Sequence, residues 1–289
     1  MDDVPISKCI KNLCYNYSMK KARRGFTLIE ISFFLALTGA LFVGIVAGTQ
    51  NSLWQQKYND SVQSFTNFLR DAYAQVANPQ GIGDGRSDRA IYGKLIVFGQ
   101  EYDLKGDKIP KDEQRFFVYD VIGDASAVGT GSVIETFKAL NINVVVEEVT
   151  GGVITNVSTA GLANSFMPTW GAVIEKTTLV DGADNNYKGS ILIVRHPRSG
   201  IINTLSSDRI IPVNEVIRNA RLDGNYDGTR NLLTSKLDYF AVGEINFCVN
   251  PYGMGVRGSF RRDIRIVKNA RNSSGVEIID QDSTDNHCK

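Results

Sequence analysis

The stretch "RRGFTLIEISFFLALTGALFVGIVAG", residues 23–48, holds one carboxylate, Glu30, among residues that otherwise suit the middle of a lipid bilayer. A charge at the bilayer centre costs from about 3 kcal/mol on insertion scales to well over 10 in simulations, so an intramembrane carboxylate marks a function and calls for a partner. No charged residue stands between Glu30 and Lys57, and the most apolar part, 31–48, lies at the lower edge of the length that spans a bilayer. One span is expected, and the chain shows no second run of this kind.

Working outward, the charge before this stretch is strongly positive. Lys8, Lys11, Lys20, Lys21, Arg23 and Arg24 face only Asp2 and Asp3 in residues 1–25, which leaves about −3 on the remainder once that +4 is taken from the formal +1. Basic residues ahead of an apolar run place that end in the cytoplasm and the bulk of the chain outside it. A cleaved secretory signal or a plain single-pass anchor would share these features. Three details speak against both. Glu30 stands fifth after Gly25, no small-x-small cleavage site follows the apolar run, and Gly25 divides the basic cluster from it abruptly.

Taken together, "RRGFTLIE" resembles the class III signal of type IV pilins and of the related pseudopilins of type II secretion. The resemblance implies that a membrane aspartyl prepilin peptidase cuts after Gly25 and methylates the new amino terminus of Phe26. It further implies that the helix survives cleavage and that Glu30 pairs with the terminal ammonium of a neighbouring subunit in a filament. A lone buried carboxylate is heavily penalised, so such pairing would set one axial offset between helices. The implied partners are other pilin or pseudopilin subunits, the peptidase, an inner-membrane assembly platform and, before assembly, membrane lipid. Gly39 falls where such helices carry glycine, whereas Ala47 occupies the place where many major pilins have proline. The leader has two candidate starts, Met1 and Met19, the second giving the compact "MKKARRG" and removing Cys9 and Cys14.

Beyond the apolar run, Trp54, Tyr58, Val62, Phe65, Leu69, Tyr73 and Val76 recur every three or four residues, which predicts an amphipathic helix ended by Asn78 and Pro79. A continuous helix over 26–77 would be about 78 Å long at 1.5 Å per residue. From Gly81 onward the pattern changes to short β-type runs: "AIYGKLIVFG", "RFFVYDVIG", "NINVVVEEV", "GAVIEKTTLV", "GSILIVRH", "EINFCVN", "SFRRDIRIV" and "GVEII". Helical interruptions are expected at "PVNEVIRNARL" and "RNLLTSKLDYF". The organisation expected is therefore α+β: a leader at 1–25, an N-terminal helix at 26–78 with its membrane segment at about 26–50, and a β-rich head at 79–289. The helix would pack on antiparallel sheet as in the pilin fold. At this size the head resembles a minor more than a repeating major pilin.

Enzymatic readings find little footing. The chain has two histidines, His196 and His287, and lacks G-x-S-x-G, C-x-x-C, H-E-x-x-H, P-loop and dinucleotide signatures. No enzyme activity and no required cofactor are expected. Asp223, Asn225, Asp227 and Gly228 reproduce the D-x-N-x-D-G opening of a calcium loop, yet Thr234 stands where the bidentate glutamate would be, and a plain turn is the alternative. Strand alternation places Val256, Phe260, Ile264 and Ile266 on one face and Arg257, Arg261 and Arg265 on the other. That basic stripe could meet DNA phosphates or an anionic surface ligand, as an adhesin or DNA-uptake subunit would need, or be a solvated strand face. Cys248 and Cys288 are expected to pair outside the cytoplasm, tying the tail to the sheet.

Overall fold

The computed structural model describes residues 26–78, 91–103, 105–110, 113–123, 131–144, 165–176, 188–196, 199–223, 232–251, 261–279 and 288. The chain divides into two compact units, Met1–Asn51 and Ser52–Lys289. One helix, α1 (Leu28–Ala77), supplies the described part of the first unit and opens the second. The expected helix was 26–78; the described helix is Leu28–Ala77.

In the first unit α1 has no apolar stripe because it is apolar on every side. Phe33, Phe34, Leu37, Leu41, Phe42 and Ile45 are all exposed. The hydroxyls along it donate back into the helix, Ser32 to the Leu28 carbonyl, Thr38 to that of Phe34 and Thr49 to that of Ile45. Such back-bonding leaves few polar groups seeking an outside partner. The helix is long and apolar enough to cross a membrane.

In the second unit the same helix turns amphipathic, and its stripe is buried. Tyr58, Val62, Phe65, Leu69, Tyr73 and Val76 pack with Ile96, Phe98, Phe116 and Ile193 on one side and with Phe247, Val249, Ile264 and Ile266 on the other. These partners come from two antiparallel sheets. The larger has the order β3 (Asn143–Val144), β2 (Phe116–Ile122), β1 (Ile91–Phe98), β6 (Gly189–Arg195), β7 (Ile202–Ser207), with β4 (Ser165–Phe166) also paired to β2. The smaller has the order β10 (Val276–Ile279), β9 (Arg262–Ile266), β8 (Ile245–Asn250), β5 (Val173–Lys176). The described chain is thus α+β, as expected.

Three hydrogen bonds to main-chain carbonyls fasten the second half of α1 to these sheets. The Tyr58 hydroxyl donates to the Val249 carbonyl at 2.8 Å, Arg70 Nη2 to the Val276 carbonyl at 2.9 Å, and Arg195 Nη1 to the Ala77 carbonyl at 2.7 Å. The last satisfies a carbonyl left over at the helix end, where α1 has no basic residue of its own.

The larger sheet is covered on both faces. Leu95, Val97, Phe117, Tyr119, Leu192 and Val194 point away from α1 into a second core, closed by α2 (Val133–Ala139), α3 (Val213–Asp223) and a 3-10 turn at Thr234–Tyr239. Burial on both faces explains why β1 and β6 read "LIVF" and "ILIV" and do not alternate. One ion pair lies within this sheet: Lys94 and Asp120, direct cross-strand partners and both nearly inaccessible. Its value is in register, since a slip would leave either charge buried alone. Gly93, next to it, sits where an added Cβ would fall 2.3 Å from the Ile193 carbonyl oxygen, so only glycine fits.

Strands β4 and β7 and helix α2 were not expected, whereas the helical interruption expected at "RNLLTSKLDYF" is present as a 3-10 turn. The Leu233 amide donates to Asn143 Oδ1 and the Thr234 hydroxyl to the Ile142 carbonyl, so the start of this segment is tied to β3 and not to a preceding helical turn.

Candidate assembly site at the start of the long helix

Helix α1 begins at a residue that can accept hydrogen bonds, and this fixes the geometry around its one early carboxylate. The four leading amides of a helix have no internal partner. Thr27 precedes the first helical residue, and its Oγ1 accepts the Glu30 amide at 3.2 Å. Glu30 returns the favour: its Oε2 accepts the Thr27 amide at 3.1 Å and the Thr27 hydroxyl at 3.2 Å. The first backbone bond of the helix, from the Ile31 amide to the Thr27 carbonyl, is 3.2 Å.

This reciprocal arrangement is a capping box, and it places a negative charge where the helix dipole favours one. Glu30 therefore has a local partner in the single chain. It is also the sole acidic residue of the first turn. Phe26, immediately before the box, is 80% exposed. The signal that could have found the box is the T-x-x-E spacing from Thr27 to Glu30. Gly25 lies outside the described residues.

The other expected sites fare unequally. Cys248 and Cys288 are joined as a disulfide with their Cα atoms 5.4 Å apart, and both residues are buried. Of the calcium loop only Asp223 is described, at the end of α3; Asn225 and Asp227 lie outside the described residues. Among the described residues no group of three His, Cys, Asp or Glu side chains converges as a metal site. Elsewhere, Asp103 heads a tight turn, its Oδ1 accepting the amides of Lys105 and Asp107, both at 2.9 Å.

Of the arginine stripe, Arg257 lies outside the described residues, while Arg261 and Arg265 lie against carboxylates. Arg265 Nη2 is 3.0 Å from Glu277, its cross-strand partner on β10, and Arg261 Nη2 is 4.0 Å from Glu175. Between them Asp263 is fully buried. The described part of this face carries its own counter-charges and is partly covered. His196 closes the β6–β7 turn, its Nδ1 accepting the Ser199 amide at 3.1 Å.

An open cavity of about 520 Å³ lies beside α1 in the second unit, with Phe68, Val118 and Phe166 among its apolar lining and Asp60, Asn67 and Asp71 among the polar one. Its two carboxylates are eleven residues apart on one helix, roughly 16 Å by helical rise, too far to act as an acid/base pair. The strongly shifted groups of the second unit are buried phenols. Desolvation drives the hydroxyl of Tyr119 well above its usual range and that of Tyr73 up to about 12. Both are occupied structurally: Tyr119 donates to Asn214 Oδ1 at 2.7 Å, and Tyr73 Oη lies 2.6 Å from Thr204 Oγ1.

No protein-family model, curated protein or solved structure matches this chain.

Proposed function

We propose that this chain is a structural subunit of a type IV pilus-like filament, a minor pilin released from its leader by cleavage after Gly25. The observation that carries the reading is the unbroken "RRGFTLIE" leading directly into α1, a helix that is apolar all round in 26–50 and striped thereafter. A helix of the first kind needs an apolar surrounding on every side. Lipid supplies it before assembly, and the helices of other subunits supply it afterwards.

The capping box gives this transfer a physical route. In lipid, Glu30 would be an expensive charge were its carboxylate bare, and the Thr27 amide and hydroxyl supply donors to one of its oxygens. In the filament, the methylated ammonium of Phe26 from a neighbouring subunit supplies the opposite charge. The pilin fold is then the helix-on-sheet arrangement of the second unit, and the head projects outside the cytoplasm. The charge-balanced arginine strand supports a structural role over a polyanion-binding one, since two of its arginines already face Glu175 and Glu277.

The test is processing. Mass spectrometry of the membrane fraction of cells making the prepilin peptidase should show a chain beginning at Phe26 and carrying one extra methyl group. Gly25→Val should retain the leader, because the peptidase requires a small residue there. Wild-type chain recovered with residues 20–25 still attached would overturn the proposal.

A further inference from the structure

The chain contains two tryptophans, Trp54 and Trp170, and they meet over one lysine. Lys57 Nζ lies 4.9 Å from the ring centroid of Trp54 and 5.0 Å from that of Trp170. The second indole is brought there by the turn Thr169–Gly171, which is fastened to α1 where the Ser61 hydroxyl donates to the Thr169 carbonyl at 3.0 Å. Trp170 itself has φ 59°, a left-handed conformation that bulky residues rarely adopt. Strain of this kind persists where the surrounding structure imposes it, and it concentrates at functional positions. The result is not a buried ring. Trp170 is 55% exposed, and Met167, three residues earlier, is 48% exposed.

The position of the cluster in the chain points to its partner. Trp54 comes six residues after Gly48, the end of the apolar run, which is under two helical turns. From 31 to 59 Lys57 is the only charged residue. Tryptophan and lysine at the end of a membrane segment are the side chains that settle at headgroup depth, the indole in the interface and the ammonium on phosphate.

We propose that Trp54, Lys57 and Trp170 form a lipid-headgroup contact at the outer leaflet, Trp170 extending it from the helix to the β-rich unit. This rests on the reading of the first part of α1 as a membrane span. Contact with phosphate-bearing lipid holds the subunit until extraction, and Lys57 is the group that binds the phosphate.

Because the two indoles are the only ones, emission reports on this cluster alone. The full chain is placed in phosphatidylcholine/phosphatidylglycerol vesicles whose acyl chains are brominated either near the headgroup or deep in the chain. Trp54→Phe leaves Trp170 as the single emitter, and Trp170→Phe leaves Trp54. The proposal expects both emitters to lose more intensity to the shallow bromine than to the deep one, and Lys57→Glu to reduce the loss at Trp170. Quenching of Trp54 with Trp170 untouched by either bromine would overturn it, as would a Lys57→Glu chain quenched like its parent. Trp170 untouched by bromine but shielded from acrylamide as subunit density rises would contradict it and assign the patch to a second copy. Protease digestion of the same vesicles separates the two readings: without a protected fragment covering 26–50, it is the membrane span that fails.

Discussion

Phe42 and Phe65 stand on the same helix, yet one is 69% exposed and the other is completely buried. The residue type is the same and so is the secondary structure. What differs is the company each keeps around the helix. Near Phe42 apolar side chains cover every direction, so no single facing surface could bury them. Near Phe65 they form a stripe, and two sheets close over it. The ring of Phe65 lies 5.3 Å from Phe247 of the smaller sheet and 5.6 Å from Phe116 of the larger. Hydrophobicity alone therefore does not decide burial within one chain; its angular distribution does. On the proposed function, the first part of α1 meets a surrounding that changes from lipid to other subunits, while the second keeps the one the two sheets give it.

This comparison can be broken most directly by truncating the two rings. Phe65→Ala should destabilise the β-rich unit by about 3–5 kcal/mol, since it empties a site bounded by both sheets. Phe42→Ala should leave the unfolding free energy of that unit, measured in urea, within about 0.5 kcal/mol of the parent. Similar losses in both would mean that the two parts of α1 are not energetically separate.

Next in size is the disulfide. Cys248 and Cys288 are 40 residues apart, and opening a loop of that length should lower stability by up to about 4 kcal/mol on the chain-entropy account. Cys288→Ser should show it as a reduced midpoint that a reductant does not lower further. Modification of both thiols in unreduced parent protein would rule out the bridge.

A smaller effect should appear at alkaline pH. Burial holds the phenols of Tyr58, Tyr73 and Tyr119 above the usual 10.0 in the folded chain, that of Tyr73 up to about 12. Their contribution is complete below pH 10. From about pH 10 to 12 the unfolded chain releases phenolic protons that the folded chain keeps, so stability should fall as pH rises, by at most about 1.4 kcal/mol per pH unit for each phenol. Tyr73→Phe should make the fall shallower. The smallest effect belongs to the helix start. Thr27→Val removes the cap and should speed amide exchange at Glu30, weakening that end by about 1 kcal/mol with no change in the urea midpoint.

Much of this architecture was legible because its signals were long. The stripe from Tyr58 to Val76 repeats over several turns, and the strands β1, β2, β6 and β8 are dense apolar runs. Strand β7 was missed because its sequence, "INTLSS", has no such density. Ile202 and Leu205 are its apolar anchors, one in each core, and its buried Thr204 is satisfied by hydrogen bonds, the hydroxyl donating to the Ala270 carbonyl at 3.1 Å and meeting Tyr73. Polar pairing of this kind leaves no periodic trace. Helix α2 is short, yet its capping box, Ser132 with Glu135, was readable, as was the one at Thr27 and Glu30. The meeting of Trp54 with Trp170 was not, since it depends on how a turn more than a hundred residues away is pinned to α1. The arginine alternation was real in sequence, but the facing carboxylates come from β5 and β10, which no local pattern could bring together.

The central claim is that Glu30 sets the register of an assembled helix, beyond capping its own. Fractionation of cells into membrane and sheared-filament pools measures it. Glu30→Leu should still insert and still be cut after Gly25, yet be depleted from the filament pool, while Glu30→Asp should fall between it and the parent. Thr27→Val, which disturbs the cap but keeps the carboxylate, should enter filaments better than Glu30→Leu. Recovery of processed Glu30→Leu in filaments at the parent's level would contradict the claim and leave Glu30 as a helix cap alone.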